Sequence, residues 1–269
     1  IRKWIFVTLL IAAFCWVAKG QEIQDAEAIV KMMAKKFRSA QTYAVTGSLK
    51  TVSNLRPYSK MTWSQALTHP RLILRPSLSF SFFFDRPNRL RFDWLSVDHK
   101  LDRPLSIWTN GKQGYSWRPG SDEEKGKFVL LNHSNLKMLL QDADFNDSSS
   151  LASILYSQLT GDERAFTFDE MNDPVIVREE DIEGKKCFVI LGTISNHPWS
   201  LWIEKSTFIL RKMRLQISLT SFDEIVATQR QKLTIGEVSF VNPRLNVPIQ
   251  ETIFSYRPKF RKEDIDISR

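Results

Sequence analysis

Four histidines, two cysteines and three groups of carboxylates are the side chains of this 269-residue sequence best placed to do chemistry. His69, His99, His133 and His197 share no metal-like spacing, and none stands near a cysteine. Asp142, Asp144 and Asp147 loosely follow a calcium loop but lack its Gly and its closing Glu. Asp122-Glu123-Glu124 and Glu179-Glu180-Asp181 fall in segments that read as turns, which favours solvated surface over a catalytic pair. Cys187 opens an apolar run and reads as a buried, inert thiol. There is no glycine-rich phosphate loop and no serine in a nucleophile-elbow pattern. No catalytic residue, metal ligand or cofactor is assigned, and an enzyme is not expected.

The distinctive residues are the aromatics, 31 in all with 18 Phe. Leu78, Phe80, Phe82 and Phe84 alternate with Ser77, Ser79 and Ser81. After the turn Asp85-Arg86-Pro87-Asn88, Leu90, Phe92 and Trp94 alternate with Arg89, Arg91 and Asp93. A period of two sends successive side chains to opposite faces, so this is a hairpin with one apolar and one polar face. Leu105 to Thr109 and Tyr115 to Trp117 form the next hairpin, joined at Asn110-Gly111-Lys112, a strong turn signal. Phe80, Phe82, Phe84, Leu90, Phe92, Trp94, Trp117, Leu201 and Ile203 are thereby expected on one sheet surface, as candidate ligand-binding residues. Two readings of that surface stand side by side. It is ordinary core under covering helices, or it lines a cavity that takes an acyl chain.

The elements around it follow from the same periodicities. Ala26, Ile29, Val30, Met33, Ala34 and Phe37 form one stripe at helical spacing and predict a helix over Asp25 to Ala40. Its lysines point the other way, into water or against a membrane. Tyr43 to Lys50 alternates as a strand, and residues 54–75 read as an irregular excursion. Asn135 to Gln141 and Ser149 to Leu159 read as short helices, the second capped by Ser148 or Ser149. Strands return at Val175 to Glu179 and Lys186 to Leu191 around Glu183-Gly184. Further strands are predicted at Ser200 to Glu204, Phe208 to Leu219, Val226 to Ile235 and Ile253 to Tyr256. Strands in succession without intervening helices imply an antiparallel sheet in an α+β domain.

Composition excludes other classes. With 42% apolar and 25% charged residues the bulk of the chain is neither disordered nor a polytopic membrane protein. Arg2 and Lys3, the apolar run Trp4 to Val17 and the small residues Ala18 and Gly20 make residues 1–20 a secretory signal peptide, too short to span a bilayer. A lipobox requires a small residue before its cysteine, and Phe14 stands before Cys15, so lipoprotein anchoring through Cys15 is not expected. Removal of the signal leaves 35 basic against 30 acidic residues. The basic residues are spread through the chain, so nucleic acid is not an expected partner. Arg257, Lys259, Arg261 and Lys262 are the densest basic segment, a solvated tail or a contact for anionic headgroups.

In order along the chain, five landmarks resemble the LolA/LolB-like fold of periplasmic lipoprotein carriers. They are similar above all to an uncharacterised family of predicted periplasmic proteins with that fold. They are the N-terminal helix followed by Tyr43, Arg86-Pro87-Asn88-Arg89-Leu90-Arg91 leading to Phe92 and Trp94, and Asn110-Gly111-Lys112 leading to Tyr115 and Trp117. Leu201-Trp202-Ile203-Glu204 with Leu210-Arg211-Lys212-Met213, and Pro248-Ile249 with Phe254-Ser255-Tyr256-Arg257-Pro258, complete the set. The resemblance implies a single strongly curved antiparallel sheet, an incomplete barrel, with helices covering the open concave face over residues 21–269. It implies a periplasmic carrier whose partners are lipid or lipoprotein acyl chains. The alternative is a sensor or protein-interaction module, because envelope-stress regulators reuse this fold to recognise an envelope protein. No gating residue is transferred, since Lys50 and Arg56 both stand near the expected position.

Overall fold

The computed structural model describes residues 25–52, 75–96, 105–119, 128–133, 136, 139–140, 149–162, 167–218, 233–255 and 265–267. The expected signal peptide, the excursion up to residue 74, Asp122-Glu123-Glu124, the Asp142 group and the basic tail lie outside these residues.

Helix α1 spans Ala26–Ser39. The Asp25 carboxylate accepts from the Glu27 backbone N–H at 3.0 Å, satisfying one donor that the first turn leaves orphaned. All six residues of the predicted stripe are buried. Twelve strands then build one sheet among the described residues. They are β1 Thr42–Val52, β2 Arg75–Asp85, β3 Arg89–Ser96, β4 Leu105–Asn110, β5 Gly114–Pro119, β6 Phe128–His133, β7 Asn172–Ile182, β8 Lys185–Ile194, β9 His197–Glu204, β10 Leu210–Ser218, β11 Leu233–Leu245 and β12 Ile265–Ile267. Helix α2, Ser149–Thr160, falls between β6 and β7. Every pairing is antiparallel except the short parallel contact of β12 with β6.

The strand order is β12-β6-β5-β4-β3-β2-β1-β11-β10-β9-β8-β7. Two meanders therefore lie side by side, joined where β11 pairs with β1. The sheet does not close into a barrel, and β12 and β7 are its edges. This topology explains the helices. The chain leaves the first meander at one end of the sheet and must reach β7 at the other. It carries α2 on that crossing, and Tyr156 of α2 packs edge-on against Phe84 at 6.0 Å. Phe37 of α1 meets Tyr43 at 5.2 Å on the same face. The architecture is the expected curved antiparallel sheet with helices over one face.

Turns fix the registers. Gly111, the first of three residues between β4 and β5, has φ 95°, a left-handed conformation that glycine adopts without strain. Glu183 and Gly184, and then Ser195 and Asn196, all have positive φ, as type I′ hairpin turns demand. Asn242 (φ 48°) and Pro243 sit where the β1–β11 register shifts, so a bulge carries the proline that a regular ladder would reject.

Three elements differ from expectation. Strand β6 was not anticipated, because Phe128 to Leu131 is an apolar run without alternation. β11 starts at Leu233 and runs on to Leu245, past the expected end at Ile235; residues 226–232 lie outside the described ones. Instead of a strand at Ile253 to Tyr256, a 3₁₀ turn occupies Glu251–Ile253. Phe254 behind it is buried beneath the Arg89 guanidinium, 5.3 Å from the ring centroid, and Arg91 donates to the Ile253 carbonyl at 3.3 Å. Those contacts hold the segment against the polar face rather than in the ladder.

Gly47 marks a close approach. A Cβ there would lie 2.3 Å from the Ser239 carbonyl oxygen and 2.4 Å from Phe80 Cζ. Its absence lets Phe80 of β2 and Phe240 of β11, the two strands flanking β1, meet edge-to-face at 6.2 Å. Gly47→Ala is expected to cost about 1–3 kcal/mol in urea unfolding, because backbone on one side cannot yield. An unchanged midpoint would show that the ring moves aside freely.

Candidate functional site

The face beneath the helices is built row by row from the registers. Leu78, Leu49, Val238, Met213, Leu201, Ile190 and Ile176 stand opposite one another across β2, β1, β11, β10, β9, β8 and β7. Leu105, Trp94, Phe80, Gly47 and Phe240 form a second row, and Ile107, Phe92, Phe82 and Val45 a third. Paired residues share a face, so alternation within each strand becomes one continuous apolar surface spanning both meanders.

Eight of the nine expected residues lie on it: Phe80, Phe82, Phe84, Leu90, Phe92, Trp94, Leu201 and Ile203. Phe92 is the hub. Its ring lies 5.2 Å from Trp94, 5.8 Å from Phe80 and 6.2 Å from Phe82. Trp117 is the exception. The Gly111 turn pairs Thr109 with Gly114, which sets Trp117 opposite Ser106 and Ser116 opposite Ile107. By this register Trp117 has the parity of the other face, yet it is buried and belongs to the same continuous apolar cluster. Counting apolar residues cannot reveal this, because the parity of β5 is decided by the turn before it.

Arg86 stands in the β2–β3 turn and also reaches the helices. Its Nε donates to the Ala40 carbonyl at 2.7 Å, and its Nη2 donates to the carbonyls of Arg38 and Leu159. Its backbone N–H donates to Gln41 O at 3.0 Å. One guanidinium thus joins the C-terminal ends of both helices to the β2–β3 turn. Helix C-termini leave carbonyls unpaired and carry partial negative charge, so a cation that can also donate is well matched to them. Lys36 adds a hydrogen bond to Thr207 O at 2.6 Å, and Arg38 an ion pair to Asp169. The cover is fastened around residues 36–40. The available signal was an Arg-Pro in a hairpin turn level with the end of the first helix.

Over β7 to β11 the opposite face carries charged side chains around a small buried cluster of Cys187, Val189 and Trp202. Glu179-Glu180-Asp181 lies within β7 rather than in a turn, because the turn begins only at Glu183. Glu180 accepts from the Trp202 indole N–H at 3.0 Å, from Arg178 at 2.7 Å and from Lys212 at 3.2 Å. Lys212 Nζ also lies 4.1 Å from the Trp202 ring centroid, and Arg214 pairs with Glu237 at 2.7 Å. Burial alone would raise the Glu180 pKa, yet the indole, Arg178 and Lys212 hold it down to about 2. A carboxylate so stabilised is a poor proton donor or acceptor near neutrality, and the cluster acts as structure. Its folded pKa lies below the ordinary value of 4.5, so its contribution is present above that value and lost as pH falls towards 2. Glu180→Gln is expected to flatten the loss of stability below pH 4.5, read from urea midpoints against pH; a parallel curve would remove Glu180 from the acid transition. Cys187 on this face is buried, its thiol pushed up to about 11 by burial and the nearby Glu204 carboxylate, as an inert thiol should be.

Among known proteins, a family model described as predicted periplasmic protein (DUF2092) matches residues 78–267, more than half of the chain. The chain belongs to this family. The DUF2092 match begins at Leu78 of β2 and takes in the Arg86 turn, α2 and strands β3 to β12, while α1 and β1 precede it. No curated protein matches the chain in sequence. Among solved structures it is similar to LprF from Mycobacterium bovis, at 14% identity over 84% of this chain and 94% of that one, TM-score 0.45. Lipoprotein LppX from Mycobacterium tuberculosis is similar at 12% identity over 84% and 97% of the two chains, TM-score 0.43. A LolA superfamily protein from Nitrosomonas europaea is similar at 12% identity over 85% and 96%, TM-score 0.30. Among the described residues no helix is long and apolar enough to cross a membrane.

Proposed function

We propose that this DUF2092 protein is an exported periplasmic carrier or binder of a hydrophobic ligand, a lipid or the acyl chains of a lipoprotein. The ligand lies between the apolar sheet face and the helices. On this reading residues 1–20 are a cleaved signal peptide and 21–269 form the binding domain. Phe80, Phe82, Phe84, Leu90, Phe92, Trp94, Leu201 and Ile203 contact the ligand, and Trp117 has the parity of the other face.

The observation that carries the proposal is the continuity of the apolar rows across both meanders, beneath a cover whose helix ends Arg86 joins to the β2–β3 turn. A cover of that kind can lift without breaking a strand ladder. The physical need is clear. Each buried CH₂ is worth about 0.8 kcal/mol, so a palmitoyl-length chain released into water costs on the order of 12 kcal/mol. A diffusing carrier offsets that cost with dry aromatic surface, and specific polar motifs are not required.

Protein purified under native conditions is expected to release lipid on extraction and to take up a fluorescent fatty-acid probe. Protein that is empty and takes up no probe would sink the carrier reading. A single stoichiometric protein partner, again without lipid uptake, would instead favour the sensor.

A further inference from the structure

Tyr43 is an anomaly on the apolar face. It is fully buried, stands in register with Phe84 and Leu245, and packs its ring 5.2 Å from Phe37 and 6.1 Å from Phe82. Among the described residues its hydroxyl has no hydrogen-bond partner. Three other buried side-chain atoms share that condition among the described residues. Asp169 Oδ1 faces the Arg38 guanidinium, Ser200 Oγ belongs to the polar sheet face, and Thr207 Oγ1 lies in the β9–β10 turn. Only the Tyr43 hydroxyl is stranded among the rings under the helices. A buried hydroxyl without a partner is costly, and phenylalanine would fill the same space without that penalty. Burial also pushes the phenol well above its ordinary pKa, against the pull of Arg211, so it stays a neutral donor.

Its position is informative. Tyr43 follows directly on the backbone that Arg86 holds, at Ala40 O and Gln41 O, and its ring touches α1. Tyr43 therefore lies beneath the C-terminal end of α1, the end that Arg86 fastens. A ligand lying under the helices meets there a hydroxyl donor set in an aromatic wall. A free carboxylate would be left desolvated at such a point, whereas an ester or amide carbonyl accepts one hydrogen bond and carries no charge.

Resting on the carrier reading, we infer that the Tyr43 hydroxyl donates to the ester or amide carbonyl of a bound acyl group, and that the site selects neutral acyl esters or amides over hydrocarbon. The test compares wild type with Tyr43→Phe, using the methyl ester and the plain hydrocarbon of one pyrene-labelled palmitoyl-length chain. The variant is expected to keep or raise the melting temperature of the empty protein. It should lose about tenfold in ester affinity, the worth of one hydrogen bond, with hydrocarbon affinity unchanged. Equal losses for both probes, or an ester affinity equal to wild type, would overturn the inference while leaving the carrier reading intact. A lower melting temperature for Tyr43→Phe would also overturn it, by showing that the hydroxyl has a structural partner. Wild-type protein that binds neither probe would bring down the carrier reading and this inference together.

Discussion

Phe92→Ala is expected to destabilise the protein by about 3–5 kcal/mol, the range for removing a fully enclosed aromatic ring. Phe92 has no exposed surface and touches three other rings, Phe80, Phe82 and Trp94. Its register neighbours Phe82 and Ile107 are held on their own strands, so the surroundings cannot collapse into the space it leaves. The urea midpoint should fall with little change in the slope. Phe92→Leu, which keeps most of the volume, should lose much less. A loss under about 1 kcal/mol for the alanine variant would show a face loose enough to refill itself, against the packing described here. If the protein carries lipid, the two measurements diverge usefully. The alanine variant has more room on the binding face, so probe uptake measured well below its unfolding midpoint should survive while stability drops.

Arg86→Ala acts on the cover instead. Three carbonyls at two helix ends lose their donor together, and a buried acceptor without a partner costs about 1–3 kcal/mol. Water can reach part of this site, so the expected loss is roughly 2–4 kcal/mol in total. The sharper readout is local. Amide hydrogen exchange should speed up at the C-terminal turns of α1 and α2 more than in β1 and β2, because the fastening is lost while the ladders remain. Arg86→Lys keeps the charge but not the planar fork, and should recover only part of the protection. Uniform acceleration across the sheet would mean that Arg86 stabilises the whole domain rather than its cover. On the carrier reading the same alanine variant should bind a fatty-acid probe faster than wild type.

Much of this protein is determined by short-range pattern. The α1 stripe from Ala26 to Phe37, the serine–phenylalanine alternation of β2, and the turns at Asn110-Gly111 and Glu183-Gly184 were all legible. Each rests on side-chain direction or backbone freedom within a few residues. Eight of the nine face residues followed from that alternation, and the polar face followed with them.

Only the tertiary structure decided which rows join and what fastens them. Trp117 took the parity of the other face because the turn at Gly111 sets the register of β5. Glu180 became part of a half-buried network because β7 runs as far as Ile182. Phe254 left the ladder for a place beneath Arg89. Arg86 reaches a helix carbonyl 73 residues away in sequence, and no local period encodes a contact at that range. The physical reason is the same in each case. Alternation states that a side chain has a buried face, whereas register, turn geometry and chain crossing determine what lies against it.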